Sequence, residues 1–470
     1  RALEAIDRHS TDQPLLRARL LQATSDTLRQ LGLRDRAVAP QTEALDIRRR
    51  TLGDGHPETL ASMNRDGMLL QEQGKLREAE QRYREALDAG RGSAGEEHPE
   101  VISALNNLGL ALVLQGRLAE AEPICREALE QARRFLGEDH EGTHKALNNL
   151  GLALKNLGRL NEAEACYRAA ADARRRVWGD DHRATLVSLS NLAVALRAQG
   201  RFDEAEPYYR QTLETRRRLL GDDHPDTLTS INNLGQLLQY QGKLDEAEPY
   251  CRETLEKTRR LLGEEHPYTL VATNNMGLLL RTQGRLAESE PYCREAVDRM
   301  RRVLGDDHQN TVNAISNLGA LLTARGELAA AEPLVREALA RRRRLLGENS
   351  PETLDSISNL GALLRLQGNL DEAARLGADA VERGRSALRP GHYLLGVFLT
   401  HYGRTLLAAR RYEDSQAALL EAHETLSRAL GDAHRQTRDA GRALADLYDA
   451  WHAADPDAGH DARAAGWRSR

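Results

Sequence analysis

The chain has 470 residues, of which 40% are hydrophobic and 29% charged, and its formal net charge is -5. That balance suits a folded body with much solvated surface, and its acidic sign argues against a general nucleic-acid binder. No apolar run approaches the 18 or so residues of a membrane span, and no signal peptide opens the sequence.

Residues 1–14 are expected to form an N-terminal capping helix. From Leu15 to His434 a unit of 42 residues then recurs ten times, without insertion or deletion. A sixteen-residue segment marks it: LGEDHEGTHKALNNLG at 136–151, LGDDHPDTLTSINNLG at 220–235 and LGEEHPYTLVATNNMG at 262–277. One position of this segment holds His56, His98, His140, His182, His224, His266 and His308, then Ser350, His392 and His434. A fixed period of 20 to 50 residues is the signature of a solenoid, whose units bury their apolar faces only against their neighbours. No loop has been enlarged into an active site. Residues 435–452 are expected to form a C-terminal capping helix closed by Trp451. Residues 453–470 are expected to be a tail, partly disordered or ending in a short helix with Trp467. Arg1 in place of a methionine suggests a piece of a longer chain. The expected compartment is the cytoplasm, or the far side of a membrane if a span precedes Arg1.

Residues 225–266 show what one unit builds. Pro225 after Asp222, Asp223 and His224 has the arrangement of a capped helix start, with proline at the first helical position. Helix A should run to about Gln241, with Leu228, Ile231, Leu234 and Leu238 on one stripe facing the core. Gly235 beside that stripe lets two helices approach. Gly242 should end helix A, and helix B should run from Leu244 to about Leu262, with Asp245 and Glu248 in capping-box spacing. Pro249 falls near the end of its first turn, where proline costs little. The corner acids are expected to cap helix A and complement its dipole.

The spacing Leu234, Gly235, Leu238, Ala247, Cys251 resembles the tetratricopeptide repeat. The 42-residue length with NNLG, GKLDEAEP and LGDDHP resembles the kinesin light chain type of that repeat. The opening DQPLLRARLLQATSDTLRQLGL and the closing LYDAWHAADPDAGHDARAAGWRSR resemble the carboxy-terminal repeat regions of bacterial eukaryotic-like serine/threonine kinases. The resemblance implies an all-α solenoid, a right-handed superhelix of antiparallel helix pairs. It also implies a scaffold for proteins or peptides, or the sensor or substrate-recruiting part of a larger kinase or signalling ATPase.

On helix A, Thr229, Asn233, Gln236 and Tyr240 share a polar face opposite the core stripe. Its central residue recurs as Asn107, Asn149, Asn191, Asn233, Asn275, Asn317 and Asn359, with Arg65 and His401 in its place near the ends. Asparagine costs up to about 0.7 kcal/mol in a helix interior, so seven repetitions need a compensating gain. Two are open: each amide bonds a neighbouring helix, or the amides also pair with the backbone of an extended peptide, as the resemblance implies. Neighbouring helices at roughly 10 Å match about three residues of extended chain. Lys145, Lys155, Arg197, Arg281 and Arg365 flank the row and Asp355 is its acid, which points to a partner segment with acidic and apolar residues.

Other signals carry less. Cys125, Cys166, Cys251 and Cys293 lack zinc spacing and suit reduced core positions. His140 and His144 share a helix face, but with only Glu141 nearby they do not make a metal site. The arginine runs at 174–176, 216–218 and 341–344 lie in last helical turns, where cations suit the dipole. No phosphate loop, GxSxG elbow or HExxH is present, so neither enzymatic activity, a cofactor nor a metal is expected. Self-association through the end repeats is a further expectation.

Overall fold

The computed structural model describes residues 13–31 and 33–468, so the helix expected over 1–14 lies almost wholly outside the described residues. Among the described residues are 22 α-helices, one 3-10 turn and no strand. They form two compact units that divide between Ala195 and Leu196.

A-type helices span Pro14–Gln30, Pro57–Glu72, Pro99–Leu114, Glu141–Asn156, Arg183–Ala198, Pro225–Tyr240, Pro267–Thr282, Gln309–Ala324, Pro351–Leu366, Tyr393–Ala408 and Arg435–Ala454. B-type helices alternate with them: Arg34–Leu52, Leu76–Ser93, Leu118–Leu136, Leu160–Trp178, Phe202–Leu220, Leu244–Leu262, Leu286–Leu304, Leu328–Leu346, Leu370–Ala387 and Tyr412–Leu430. A 3-10 turn at Pro456–Ala458 and a helix at His460–Arg468 follow. Trp451 stacks on Tyr412 and on His460, and Trp467 meets His423 edge-on.

The A helices from Pro57–Glu72 to Pro351–Leu366 each stop at a glycine in the left-handed region. At Gly242 φ is 76°, the Gly242 N–H donates to Gln239 O, and the Lys243 N–H reaches back to Leu238 O. This satisfies end carbonyls that a helix otherwise leaves open. The next helix starts two residues after Gly242, so the pair must run antiparallel. Left-handed glycines also follow the B helices, as at Gly263 with φ 86°, except Leu370–Ala387, where Arg389 takes the position. Arg410 takes over this role after Tyr393–Ala408 with φ 57°, the one non-glycine residue with positive φ among those described. A side chain there costs roughly 1–2 kcal/mol.

The expected stripe is the core: Leu228, Ile231, Leu234 and Leu238 are all buried, as are Ala247, Cys251, Thr254 and Leu255 on helix B. Close helix approach needs the glycine of the motif. A Cβ built on Gly235 would lie 3.2 Å from Tyr250 Cβ, and one on Gly277 would lie 2.7 Å from Cys293 Sγ. Cys125, Cys251 and Cys293 are free and buried, and burial pushes the Cys125 and Cys251 thiols up to about 12.

Three local expectations are corrected. The A helices are capped by the corner histidine rather than by its neighbouring acids. Nδ1 of His56, His98, His140, His182, His224, His266, His308, His392 and His434 accepts the N–H two residues on, at 3.0 to 3.3 Å. Ser350 does the same with Oγ, from the Thr353 N–H at 3.1 Å. The acids instead pair with arginines, as Asp223 with Arg260 at 2.8 Å and Asp222 with Arg217 at 3.1 Å. Helix B lacks a capping box: Lys243 precedes it with no side-chain cap, and Glu248 pairs with Arg252 at 2.6 Å and with Arg285 of the next repeat at 3.1 Å.

The third correction concerns the arginine runs, in which one member is not a surface charge. Arg174, Arg216 and Arg342 are buried, and their Nη1 groups donate to Ser188, Ser230 and Ser356 Oγ at 2.7 to 2.8 Å. Each also reaches a first-turn carbonyl of the following A helix: Ala184, Asp226 and Glu352 respectively. Arg48 and Ser62 make the same pair. The repeats that lack the arginine also lack the serine: Ala132 faces Ala146, Thr258 faces Ala272, and Met300 faces Ala314 at these positions. A buried guanidinium with its partners and a dry apolar contact are thus alternative solutions to one interface.

Arg216→Met alone should cost about 1–3 kcal/mol, because it removes the guanidinium's bonds to Ser230 Oγ and the Asp226 carbonyl and leaves these buried polar groups, joined to each other at 3.3 Å, against an apolar side chain. The double variant Arg216→Met/Ser230→Ala, which copies Met300 and Ala314, should recover most of that loss. Denaturant unfolding of the three proteins measures both steps, and a double variant no more stable than the single one contradicts the pairing.

Candidate functional site

The polar face of the A helices is built from the ladder position and its neighbours. Asn191 Nδ2 donates to Asn148 Oδ1 at 3.1 Å and Asn149 Nδ2 to Asn106 O at 3.2 Å. In residues 196–470, Asn275 Nδ2 donates to Asn232 Oδ1 at 2.7 Å and Asn317 Nδ2 to Asn274 Oδ1 at 3.1 Å. Each bond crosses to the preceding A helix, which is a structural reason for the ladder. Asn359 turns to Asp355 Oδ2 of its own helix at 3.0 Å. At the end of the row His401 Nδ1 lies 2.9 Å from Ser358 Oγ, and burial, then Arg404, pulls its pKa down to about 4. Asn107 in the first unit and Asn233 in the second are each half-buried.

The flanking residues separate into two groups. Some are already engaged: Lys145 with Glu141 at 2.7 Å, Thr229 with Pro225 O at 3.0 Å, and Arg197 with Gln236 at 3.1 Å and over the Tyr240 ring at 5.4 Å. Tyr240 stacks in turn on Phe202, which also meets Tyr393. Lys155 is half-buried in the first unit. Arg281 and Arg365 differ. Their Nε atoms are buried without a hydrogen-bond partner, and burial pulls both guanidinium groups below the usual arginine range. Arg281 is surrounded by protein yet partly accessible, as is Asp355, whose carboxyl burial pushes up. A group that is enclosed but still wet lines a concavity rather than a packed core.

Sequence reasoning missed a second set of contacts on this side of residues 196–470. His392 Nε2 lies 3.1 Å from Ala198 O and His434 Nε2 lies 3.1 Å from Tyr240 O. Because Nδ1 of each ring accepts a backbone N–H, the single proton of the neutral ring must sit on Nε2 and be donated to the carbonyl. Arg389 Nε donates to Gln199 O at 2.8 Å and Arg435 Nη1 to Thr282 O at 2.8 Å. A periodic pattern contains no sign of contacts between residues so far apart in the chain.

Helix hairpins in tandem, with a polar row along one helix of each, define a helical-repeat protein of the kind that presents a surface rather than a pocket. Matches to the tetratricopeptide repeat cover residues 15–92, 100–176, 143–217, 185–250, 226–288, 268–344 and 313–386, with a second match at 65–134, and the chain belongs to that family. No curated protein matches it in sequence. Among solved structures, it is similar to a Podosopora anserina kinesin light chain-type protein with nearly identical TPR-like repeats. The identity is 21% over 44% of this chain and 98% of that one, with a TM-score of 0.39. BtubC (BKLC) from P. vanneervenii is 23% identical over 49% of this chain and 92% of that one, TM-score 0.39. A Rap protein complexed with competence and sporulation factor is 13% identical over 79% of this chain and 96% of that one, TM-score 0.57, a likeness of fold. No helix of the described residues is long and apolar enough to cross a membrane.

Burial lowers the pKa of His266, His308 and His434, and takes that of His392 to about 4. Unfolded histidine titrates near 6.5. Above that pH both states are neutral and the caps contribute in full. Below it the unfolded chain takes up protons first, so stability should fall as pH drops from about 6.5 towards 4. Replacing these four histidines by serine, as at Ser350, should flatten that fall in thermal melts. Equal slopes in the two proteins would contradict the assignment.

Proposed function

We propose that the chain is a non-catalytic scaffold that holds an extended segment of a partner protein, rich in acidic and apolar residues, along the polar face of its A helices. The observation that carries this reading is the pair Arg281 and Arg365. Each is a half-buried guanidinium whose Nε lacks a hydrogen-bond partner, and an incoming carboxylate would offset that desolvation. The ladder supports the same reading. Each of Asn149, Asn191, Asn275 and Asn317 uses one amide hydrogen on the neighbouring helix, which leaves an oxygen and a second hydrogen for a peptide backbone. Apolar positions beside it, Leu278, Ala320 and Ala362, would take the apolar side chains. The helix starts at Pro225, Pro267, Gln309 and Pro351, 42 residues apart, favour the kinesin light chain type within the family. Attachment to a bacterial kinase or ATPase is carried by resemblance alone.

An array of extended peptides graded in acidity tests the reading against the triple variant Asn233→Ala, Asn275→Ala, Asn317→Ala, all within residues 196–470. At about 1 kcal/mol for each lost contact, affinity should fall about a hundredfold. Arg281→Met should remove the preference for acidic peptides and much of the salt dependence. Unchanged binding by folded variants, checked by circular dichroism, would return the ladder to a purely structural role.

A further inference from the structure

Within residues 196–470 the ends of early A helices touch the beginnings of late ones. The two histidine contacts, His392 to Ala198 and His434 to Tyr240, both join residues 194 apart in the chain. A common offset means that one edge of the helix stack meets the other edge in register, after the stack has come round on itself. The acceptors are last-turn carbonyls, which a helix leaves open for an outside donor. The donors are capping histidines, whose Nε2–H points away from the helix that they cap. Among the described residues, these are the two capping histidines whose Nε2 reaches a carbonyl.

The sequence changes where the edges meet. Arg389 stands where the repeat otherwise has the glycine of Gly263, Gly305 and Gly347, and Tyr393 stands where it has Pro225, Pro267 and Pro351. Arg389 donates to Gln199 O. Tyr393 covers Gly200, where a Cβ would meet the ring at 2.9 Å, and meets Phe202 at 5.4 Å. His434 covers Gly242 in the same manner, whereas Gly284, Gly326 and Gly368 at the equivalent turns face open space.

We propose that these contacts form a latch that shuts the inner face of residues 196–470 from the side, and that parting them admits a bulky partner to Arg281, Asn317 and their neighbours. Each of the four bonds is a single neutral or singly charged hydrogen bond to a backbone carbonyl, and Tyr393 against Phe202 is an apolar contact between the edges. Such an edge can open without unfolding either helix stack. The inference rests on the inner face being the binding surface, and it adds the control of access to it.

The test needs no ligand. In the full chain, with Cys125, Cys166, Cys251 and Cys293 replaced by alanine, Ala320→Cys places one thiol on the inner face. Its reaction with N-ethylmaleimide and with a maleimide carrying a long polyethylene glycol is then timed. The triple variant Arg389→Ala/His392→Ser/His434→Ser keeps both caps, as Ser350 does, and removes three of the four cross-edge donors, leaving Arg435 to Thr282. It should raise the rate with the large reagent several-fold and leave the rate with the small one unchanged. Gly200→Ala, which sets a methyl against Tyr393 at the cost of strain in its own left-handed turn and leaves both capping histidines in place, should do the same, whereas His308→Ser should change neither rate. An unchanged ratio of the two rates in the triple variant or in Gly200→Ala, with helicity intact, overturns the latch. Failure of the peptide experiment alone would overturn the binding surface and leave the latch standing.

Discussion

Sixteen left-handed glycines, at 21-residue intervals from Gly53 to Gly368, set the geometry on which everything else depends. Each one ends a helix at a nearly fixed length, so within each compact unit neighbouring A helices present core stripe, ladder residue and capping corner at the same height. The backbone conformation is one that a side chain opposes, so glycine is the residue that holds it without strain. With helix lengths locked, a residue repeated at one position becomes a row in space. A change at one position becomes a single interruption of that row. The array therefore works as a printed surface, on which composition at a position translates directly into chemistry at a place.

Two rows make this concrete. In four repeats the asparagine ladder joins helix to helix through one amide hydrogen, so the same residues that stiffen the face also pattern it. The capping corner works in a similar double way. Histidine closes the helix start through Nδ1 and holds a donor on the opposite side of the ring, which serine cannot do. Most repeats leave that second donor unused by the protein, and two use it on a distant helix end. Regularity thus supplies parts that become specific contacts where the stack curves back on itself.

Much of this was legible in the sequence. Periodicity defined the helix pairs, and Leu228, Ile231, Leu234 and Leu238 marked the buried stripe because an amphipathic helix has one face to hide. The histidine caps were not legible, because Asp222 and Asp223 beside His224 are the more usual capping type and attract the assignment. The buried Arg216 was hidden within a run of three arginines. Its signal lay in a comparison between repeats, since arginine at that position accompanies serine fourteen residues on, and alanine, threonine or methionine accompanies alanine. The closure of residues 196–470 had no periodic trace at all. Only the breaks in the pattern, Arg389 for glycine and Tyr393 for proline, lie where it forms.

The arginine and serine of each buried pair belong to adjacent repeats, one on a B helix and one on the A helix that follows, and this bears on how such arrays can grow or shrink. Losing residues 217–258 would bring Arg216 against Ala272, a guanidinium with no hydroxyl to receive it. Losing residues 217–342 would bring it against Ser356, and the joint would be sealed as before. Repeats of this protein are therefore not interchangeable bricks. They carry half-joints of two kinds, and only an excision between like halves leaves a shorter stack without a scar.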